Sequence, residues 1–370
     1  MTTVLVSGVG ALGMFAVELL ARSAGVDRIV TVKRSPWSGP SRVNLTMIGA
    51  VFQGHAKQWR HHQVDLADTG AMARILDHER PDVILHTATV QSPRRLMNAD
   101  VDPRIRELLR SATFGMWLPW HLLPAAQLVH AIDAAGIDTA VVNASFPDIV
   151  NPALHARFGH GPDAGAGNVE VCVAQIVRYM SDVESVAPDR LDVSLVGSHA
   201  LLGHGPDVPH HLKVVIDGND VTGKHDLGTM LAWPEPIQWS KVDDFSLFAA
   251  SAVKNVLALM GQGDIRTHVS GAQGLMGGYP AVIRDGRVHL DLPDDLNRDA
   301  AIAINERAAA WDGIDRIETD GTVVFTSTAR DAMEELGCPT DAIDFDRIEE
   351  RSNELSEFYE RITTMEGIHA

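Results

Sequence analysis

The pattern Gly8-Val9-Gly10-Ala11-Leu12-Gly13 follows the apolar, largely β-branched run Thr3-Val4-Leu5-Val6-Ser7. It precedes Met14-Phe15-Ala16-Val17-Glu18-Leu19-Leu20, a helical stretch that Gly25 can end. Three glycines at this spacing constrain a chain strongly when a strand leads in and a helix leads out. Gly8 permits a tight turn, Gly10 lets the backbone approach a pyrophosphate, and Gly13 lets the helix pack close to the strand. The free N–H groups and dipole at the helix start attract phosphate. A dinucleotide cradle lined by Gly8, Gly10, Ala11, Leu12 and Gly13 is the expectation.

Further apolar runs at 28–32, 62–65, 82–87 and 139–143 read as strands, and the stretches 72–78 and 125–135 read as helices between them. Such βαβ alternation implies a parallel sheet covered by helices on both faces. From about Val150 the pattern changes. Residues 211–216 form a strand with a turn signal at Asp217-Gly218-Asn219, and Asp285-Gly286 joins 281–284 to 287–290 as a hairpin. A helix is expected over about 297–310, and the apolar positions Ile343, Phe345, Ile348, Leu355, Phe358 and Ile362 set an approximate helical period near the end. The fold class is therefore α/β: a doubly wound Rossmann domain over 1–150 and a mixed α/β substrate domain over 151–370, ending in a helix.

Lys and Arg number 31 against 49 Asp and Glu, a formal charge of −18, so the surface field repels phosphate backbones and anionic lipid. Neither nucleic acid nor membrane is an expected partner; a small molecule is. Cys172 and Cys338 are too few for a disulfide framework and are not spaced as a zinc site. Met1 runs almost directly into the first strand without a charged n-region or cleavage site, so export is not expected and a cytoplasmic location is.

An acid that would hold the adenosine ribose is expected at the end of the second strand. Instead Ile29-Val30-Thr31-Val32 runs into Lys33-Arg34-Ser35, with Arg42 nearby. A missing carboxylate and two cations suit a 2′-phosphate, which favours NADP over NAD.

The segments Val64-Asp65-Leu66-Ala67-Asp68 and Arg80-Pro81-Asp82-Val83-Ile84-Leu85-His86-Thr87-Ala88 resemble the extended short-chain dehydrogenases. That family needs a Tyr-x-x-x-Lys pair, but Val183, Ile283 and Thr363 stand four positions after Tyr179, Tyr279 and Tyr359. This resemblance is set aside.

A second resemblance runs further along the chain. Its motifs are Thr87-Ala88-Thr89, Val141-Val142-Asn143, Gly165-Ala166-Gly167-Asn168-Val169-Glu170, Val196-Gly197-Ser198-His199-Ala200, and Gly277-Gly278-Tyr279-Pro280-Ala281 through Gly286. In type and order they resemble the lactate and malate dehydrogenase superfamily. The resemblance implies hydride transfer with a nicotinamide cofactor held also by Ala88 and Thr89, and proton exchange by His199 oriented by Glu170. It implies that Asn143 touches the nicotinamide ribose and substrate, and that Arg94 or Arg95 stands where the family's active-site loop polarises the substrate carbonyl. Asn168, His204 and Ser246 are candidate substrate contacts, and a homo-oligomer is expected.

The chain departs from that family where Val173 replaces the arginine that grips a substrate carboxylate three positions after the orienting acid. A secondary alcohol–ketone pair on a small polar molecule is therefore expected rather than a plain 2-keto acid. The apolar segment 114–124 reads as a lid, a subunit contact or a buried turn. Two other functions compete. NAD-dependent glycosidases resemble the chain at Gly167-Asn168-Val169 and Gly197-Ser198-His199, but Gly167 stands where they carry a metal-binding cysteine, and no metal site is expected. A non-catalytic dinucleotide sensor would keep only the cradle.

Overall fold

The computed structural model describes residues 1–34, 39–92, 101–237 and 244–364. Six strands form one parallel sheet: β1 (Thr3–Ser7), β2 (Arg28–Lys33), β3 (Gln58–Gln63), β4 (Val83–His86), β5 (Ala140–Asn143) and β6 (Ala164–Gly165). Their order is β3-β2-β1-β4-β5-β6. The chain works outward from β1 to β3, then returns and continues from β4 on the other side. A crevice therefore opens at the carboxyl ends of β1 and β4, the place where open α/β sheets bind ligands.

Strand alternation divides the apolar residues between two cores. Val4, Val6, Val83 and Leu85 face one layer, while Leu5, Val30 and Ile84 face the other. Full burial of each such side chain contributes roughly 1.5–3 kcal/mol. The intervening helices are α1 (Ala11–Ala21), α2 (Pro40–Phe52), α3 (Thr69–Glu79), α4 (Pro103–Ala112) and α5 (Leu118–Ala135).

Two sequence expectations shift. The third strand lies at Gln58–Gln63, not 62–65, and pairs with β2 from Arg28↔Gln58 to Lys33↔Gln63. It is the sheet's edge, so its residues Gln-Trp-Arg-His-His-Gln carry little apolar signal, while the buried Val64 and Leu66 follow it. The apolar segment 114–124 is no loop. A 3₁₀ turn (Phe114–Trp117) leads into α5, with Pro119 in the first turn, where a missing N–H has little cost.

The sheet also extends past position 150, because β6 lies at Ala164–Gly165. Next come α6 (Pro147–Phe158), α7 (Val169–Glu184) and α8 (Phe245–Leu259), the last packing on α1. One core cluster joins Val17 and Leu20 of α1 to Val253 and Val256 of α8, so the two halves share a continuous interior.

The second half carries three small antiparallel sheets. They are β7 (Leu191–Val196), β8 (His211–Ile216) and β9 (Asn219–Asp220); β10 (Ile265–Ser270), β11 (Gly278–Arg284) and β12 (Arg287–Leu290); and β13 (Ile314–Ile317), β14 (Val323–Phe325) and β15 (Ala342–Ile343). The Asp285-Gly286 hairpin forms where the sequence signals it, with both residues at positive φ. Three helices complete the chain: α9 (Arg298–Ala309), capped by the Asn297 side chain, α10 (Ser327–Glu335) and α11 (Ile348–Thr364).

The third sheet, α10 and α11 form a C-terminal layer against α4, α5 and α6. Trp117, Trp120, Phe325 and Phe358 share its core, and Trp120 Nε1 donates to the Ser352 carbonyl at 3.1 Å. Among the described residues no helix is long and apolar enough to cross a membrane.

Candidate active site

The first glycine turn has the shape of a phosphate cradle. Gly8 has φ +99°, and a Cβ there would lie 2.6 Å from the Ala88 nitrogen; a Cβ on Gly13 would lie 2.1 Å from the Gly8 oxygen. A Cβ on Gly10, by contrast, would meet nothing within 4 Å. Gly10 is the N-cap of α1 and supplies no side-chain cap, so the first N–H groups of Ala11 and Leu12 point out of the helix unclaimed. Thr87 Oγ1 donates to the Gly8 oxygen, locking β4 to the turn. Ala88 and Thr89 continue from β4 opposite Gly8, with Thr89 Oγ1 bonded to the Gln91 carbonyl at 2.8 Å. These residues fit a dinucleotide: two glycines are fixed by packing, and the third opens onto free space. Lys33 ends β2 and Arg34 follows it, exposed, and neither pairs with an acid among the described residues. Arg42 is instead bonded to Glu18 at 3.0 Å.

His199 follows β7, where Gly197 bridges to Gly278. Its Nδ1 lies 3.0 Å from Asp312 Oδ1, and its backbone N–H donates to Asp148 Oδ1 at 2.9 Å. Asp148 also accepts from the Asn168 side-chain amide. Burial alone would lower the His199 pKa; the charge and hydrogen bond of Asp312, with Asp148 behind them, outweigh it and raise the pKa. Burial raises the Asp148 carboxyl, and His199 and the Asn168 amide offset this only in part.

Two phenylalanines and two more histidines enclose this pair. Phe114 lies tilted at 4.7 Å from His199 and 5.4 Å from His121, and Phe146 lies at 5.3 and 6.0 Å from the same two rings. His121 Nδ1 is 2.9 Å from Ser145 Oγ. Burial drives its pKa down to about 3, with His199 and His86 adding to the effect. His86 ends β4; burial lowers it to about 4, and neither ring nitrogen has a partner among the described residues. Phe146 (φ 49°) and Asn168 (φ 55°) adopt left-handed backbone that non-glycine residues avoid, which locates local strain at this site.

The expected Glu170–His199 pair is not formed. Glu170 projects from the first turn of α7 toward α8 and β10, where its carboxylate accepts from Ser251 and Thr267 and pairs with Lys254. The carboxylate beside His199 comes from Asp312, after α9. Asn143 is fully buried at the end of β5, but its amide is taken up internally: Oδ1 accepts from Ser145 N at 2.8 Å, and Nδ2 donates to Asn151 Oδ1 at 2.8 Å. It shapes the strand end rather than presenting a free amide to a ligand. Asn168 is buried beside Asp148 and so joins the site through that bond. His204 is exposed against Trp311, and Ser246 is exposed at the start of α8, so neither meets His199. Arg94 and Arg95 lie outside the described residues. Cys172 packs inside the core of α7, where burial pushes its thiol up to about 12.

The residues that sequence reasoning missed are Asp312, Asp148, His121, His86, Phe114 and Phe146. Asp312 lies 113 positions from its histidine, and no local motif marks it. His121 and Phe114 were in view only as parts of an apolar segment, and Asp148 follows a helix-initiating proline, where an acid reads as an ordinary first-turn residue.

The sequence pattern described as the NAD dependent epimerase/dehydratase family matches residues 4–102, within the Rossmann half. No curated protein matches the chain. Solved structures match over most of its length. Malate dehydrogenase from Plasmodium falciparum is 14% identical, with TM-score 0.59 over 90% of this chain and 99% of that one. Malate dehydrogenase from Salinibacter ruber is 14% identical, with TM-score 0.58 over 91% and 99%. Lactate dehydrogenase from Cryptosporidium parvum, complexed with lactic acid and nicotinamide adenine dinucleotide, is 15% identical, with TM-score 0.57 over 84% and 96%. Matched over 84–91% of its length, this chain has the fold of the lactate and malate dehydrogenases.

Proposed function

We propose that the chain is a nicotinamide-dependent oxidoreductase that interconverts a secondary alcohol and a ketone on a small polar substrate, with His199 as acid/base and Asp312 as its orienting carboxylate. The observation that carries this reading is the His199–Asp312 contact at 3.0 Å, on the crevice side of a fold whose glycine turn fits a dinucleotide. The nicotinamide, when bound, would accept or return the hydride.

The protein's own part is proton handling and positioning. Asp312 accepts from Nδ1–H of His199, fixing the tautomer and leaving Nε2 to take the hydroxyl proton in oxidation or return it in reduction. Asp148 grips the backbone N–H of the same residue, so both ends of His199 are held by carboxylates. Phe114 and Phe146 pack on the imidazole and Asp312 is buried, which strengthens the interaction between His199 and Asp312. Lys33 and Arg34, at the end of β2 and without an acidic partner among the described residues, support NADP over NAD. Thermal melting with each cofactor tests the cradle: one should protect the protein. His199→Asn should abolish turnover while keeping that protection, and normal turnover in this variant would refute the assignment.

The chain is also read as a homo-oligomer in the cytoplasm. Leu45, Ile48 and Phe52, 56–86% exposed, share one face of α2, and an apolar stripe of this kind supports contact with a second copy. Light scattering of Phe52→Glu against the unaltered protein tests it.

A further inference from the structure

We propose that His121 is a second substrate-contacting imidazole and that the pocket takes an uncharged substrate with two vicinal oxygens, a diol converted to a hydroxyketone. This rests on the reading of His199 as acid/base and adds the substrate class to it. In the oxidation, one C–H pair leaves as hydride to the oxidised nicotinamide and the hydroxyl proton passes to His199 Nε2. The neighbouring hydroxyl is unchanged.

The geometry sets the two imidazoles side by side. Both His199 and His121 pack against the same two rings, Phe114 and Phe146, with centroid distances of 4.7 to 6.0 Å. His121 stands in the first turns of α5 with Nδ1 on Ser145 Oγ, and its Nε2 has no hydrogen-bond partner among the described residues. A buried imidazole with one nitrogen tied and one free needs a polar group opposite it. An oxygen next to the one that reacts at His199 meets that need.

Among the described residues, the charge around His199 selects against an anion. The charged groups bearing most strongly on His199 are Asp312 and Asp148. Among the described residues no Lys or Arg is bonded to His199, His121, Ser145, Asn143, Asn168 or Asp148. A substrate carboxylate would be desolvated beside two acids. His121, lowered to about 3 by burial, offers a neutral donor or acceptor suited to a hydroxyl or carbonyl. The buried polar atoms here without partners among the described residues are of the same kind: Ser7 Oγ, Ser198 Oγ, Asn151 Nδ2 and both nitrogens of His86.

Steady-state oxidation by the full chain of propane-1,2-diol, 2-propanol and lactate, with NADP or NAD, tests this. The diol should exceed each of the others in kcat/KM by at least about tenfold, the factor of one net hydrogen bond. In His121→Phe the diol to 2-propanol ratio should collapse to about one. His121→Gln, which keeps a polar end, should recover part of the ratio and serves if the phenylalanine variant does not fold. Lactate turned over as well as the diol, or an unchanged ratio in both variants, would overturn the proposal. If no alcohol is oxidised, hydride transfer by His199 fails; saturation-transfer NMR on the cofactor-loaded protein then decides the substrate class by itself. Diol binding that His121→Phe weakens would support the class, and preferential lactate binding would refute it.

Discussion

His199 Nδ1 sits 3.0 Å from Asp312 Oδ1, a contact that ties the end of β7 to a carboxylate in the turn between α9 and β13. The acid on Nδ1 is thus not Glu170 of α7, the helix after β6, and an active histidine here depends on the packing of residues beyond 310. Since Asp312 is buried, the contact is largely desolvated, and its loss would reach the chemistry directly.

Asp312→Asn should lower the His199 pKa. Ketone reduction requires the imidazolium, so the alkaline limb of its pH–rate profile should move to lower pH, with kcat falling by about 10²-fold or more at neutral pH. The stability sign follows from the raised folded-state pKa. The paired imidazolium stabilises fully below the unfolded value near 6.5 and loses its contribution as pH rises through the folded value. Melting of the variant and parent at pH 6 and pH 9 should therefore show a larger deficit at pH 6. An equal deficit at both would mean that the pair carries no charge.

His86, His121 and His268 act in the opposite direction. Burial depresses them to about 4, 3 and 3, so each is neutral in the folded protein and charged in the unfolded chain once pH drops below about 6.5. Their stability contribution is present above that value and declines as pH falls toward the folded pKa, by roughly 1 kcal/mol per unit for each group. Urea unfolding at pH 7 and pH 5 should show a steep acid loss. His86→Leu, which removes a ring whose two nitrogens have no partner among the described residues, should flatten it.

Much of this architecture can be read from residue order. Thr3–Ser7 and the three glycines fix the strand, turn and helix because each glycine has its own steric reason, and the Asp285-Gly286 turn carries its geometry in its dihedrals. The edge strand Gln58–Gln63 is concealed by polarity, because an edge buries too little to need an apolar pattern. The site is half legible. His199 follows a strand in a recognisable motif, but its acid is chosen by tertiary packing across 113 residues, whereas the family resemblance implies Glu170. His121 escapes notice because an imidazole among Trp, Leu and Pro reads as part of a buried helix.

Glu170→Gln provides a contrast with Asp312→Asn. The Glu170 carboxylate bonds Ser251, Thr267 and Lys254, so its removal leaves Lys254 without its acid in a partly buried place. A stability loss of about 1–2 kcal/mol is expected, small because Lys254 keeps some solvent contact. The pH–rate profile should keep its shape. A displaced alkaline limb in this variant, measured by the same assay as for Asp312→Asn, would return the orienting role to Glu170.

The glycine turn separates folding from binding within six residues. Alanine at Gly13 would drive a Cβ to 2.1 Å from the Gly8 oxygen, so α1 must shift, and a stability loss of about 1–3 kcal/mol is expected. Alanine at Gly10 would meet nothing within 4 Å, and Gly10 has negative φ, so the folded chain should tolerate it with a change under about 1 kcal/mol. The same methyl would stand where a pyrophosphate must approach the first N–H groups of α1. Gly10→Ala should therefore melt near the parent temperature without cofactor, yet bind the dinucleotide at least about tenfold more weakly by calorimetry. Undiminished affinity in Gly10→Ala would place the phosphates elsewhere, because no other feature of the turn leaves that space open.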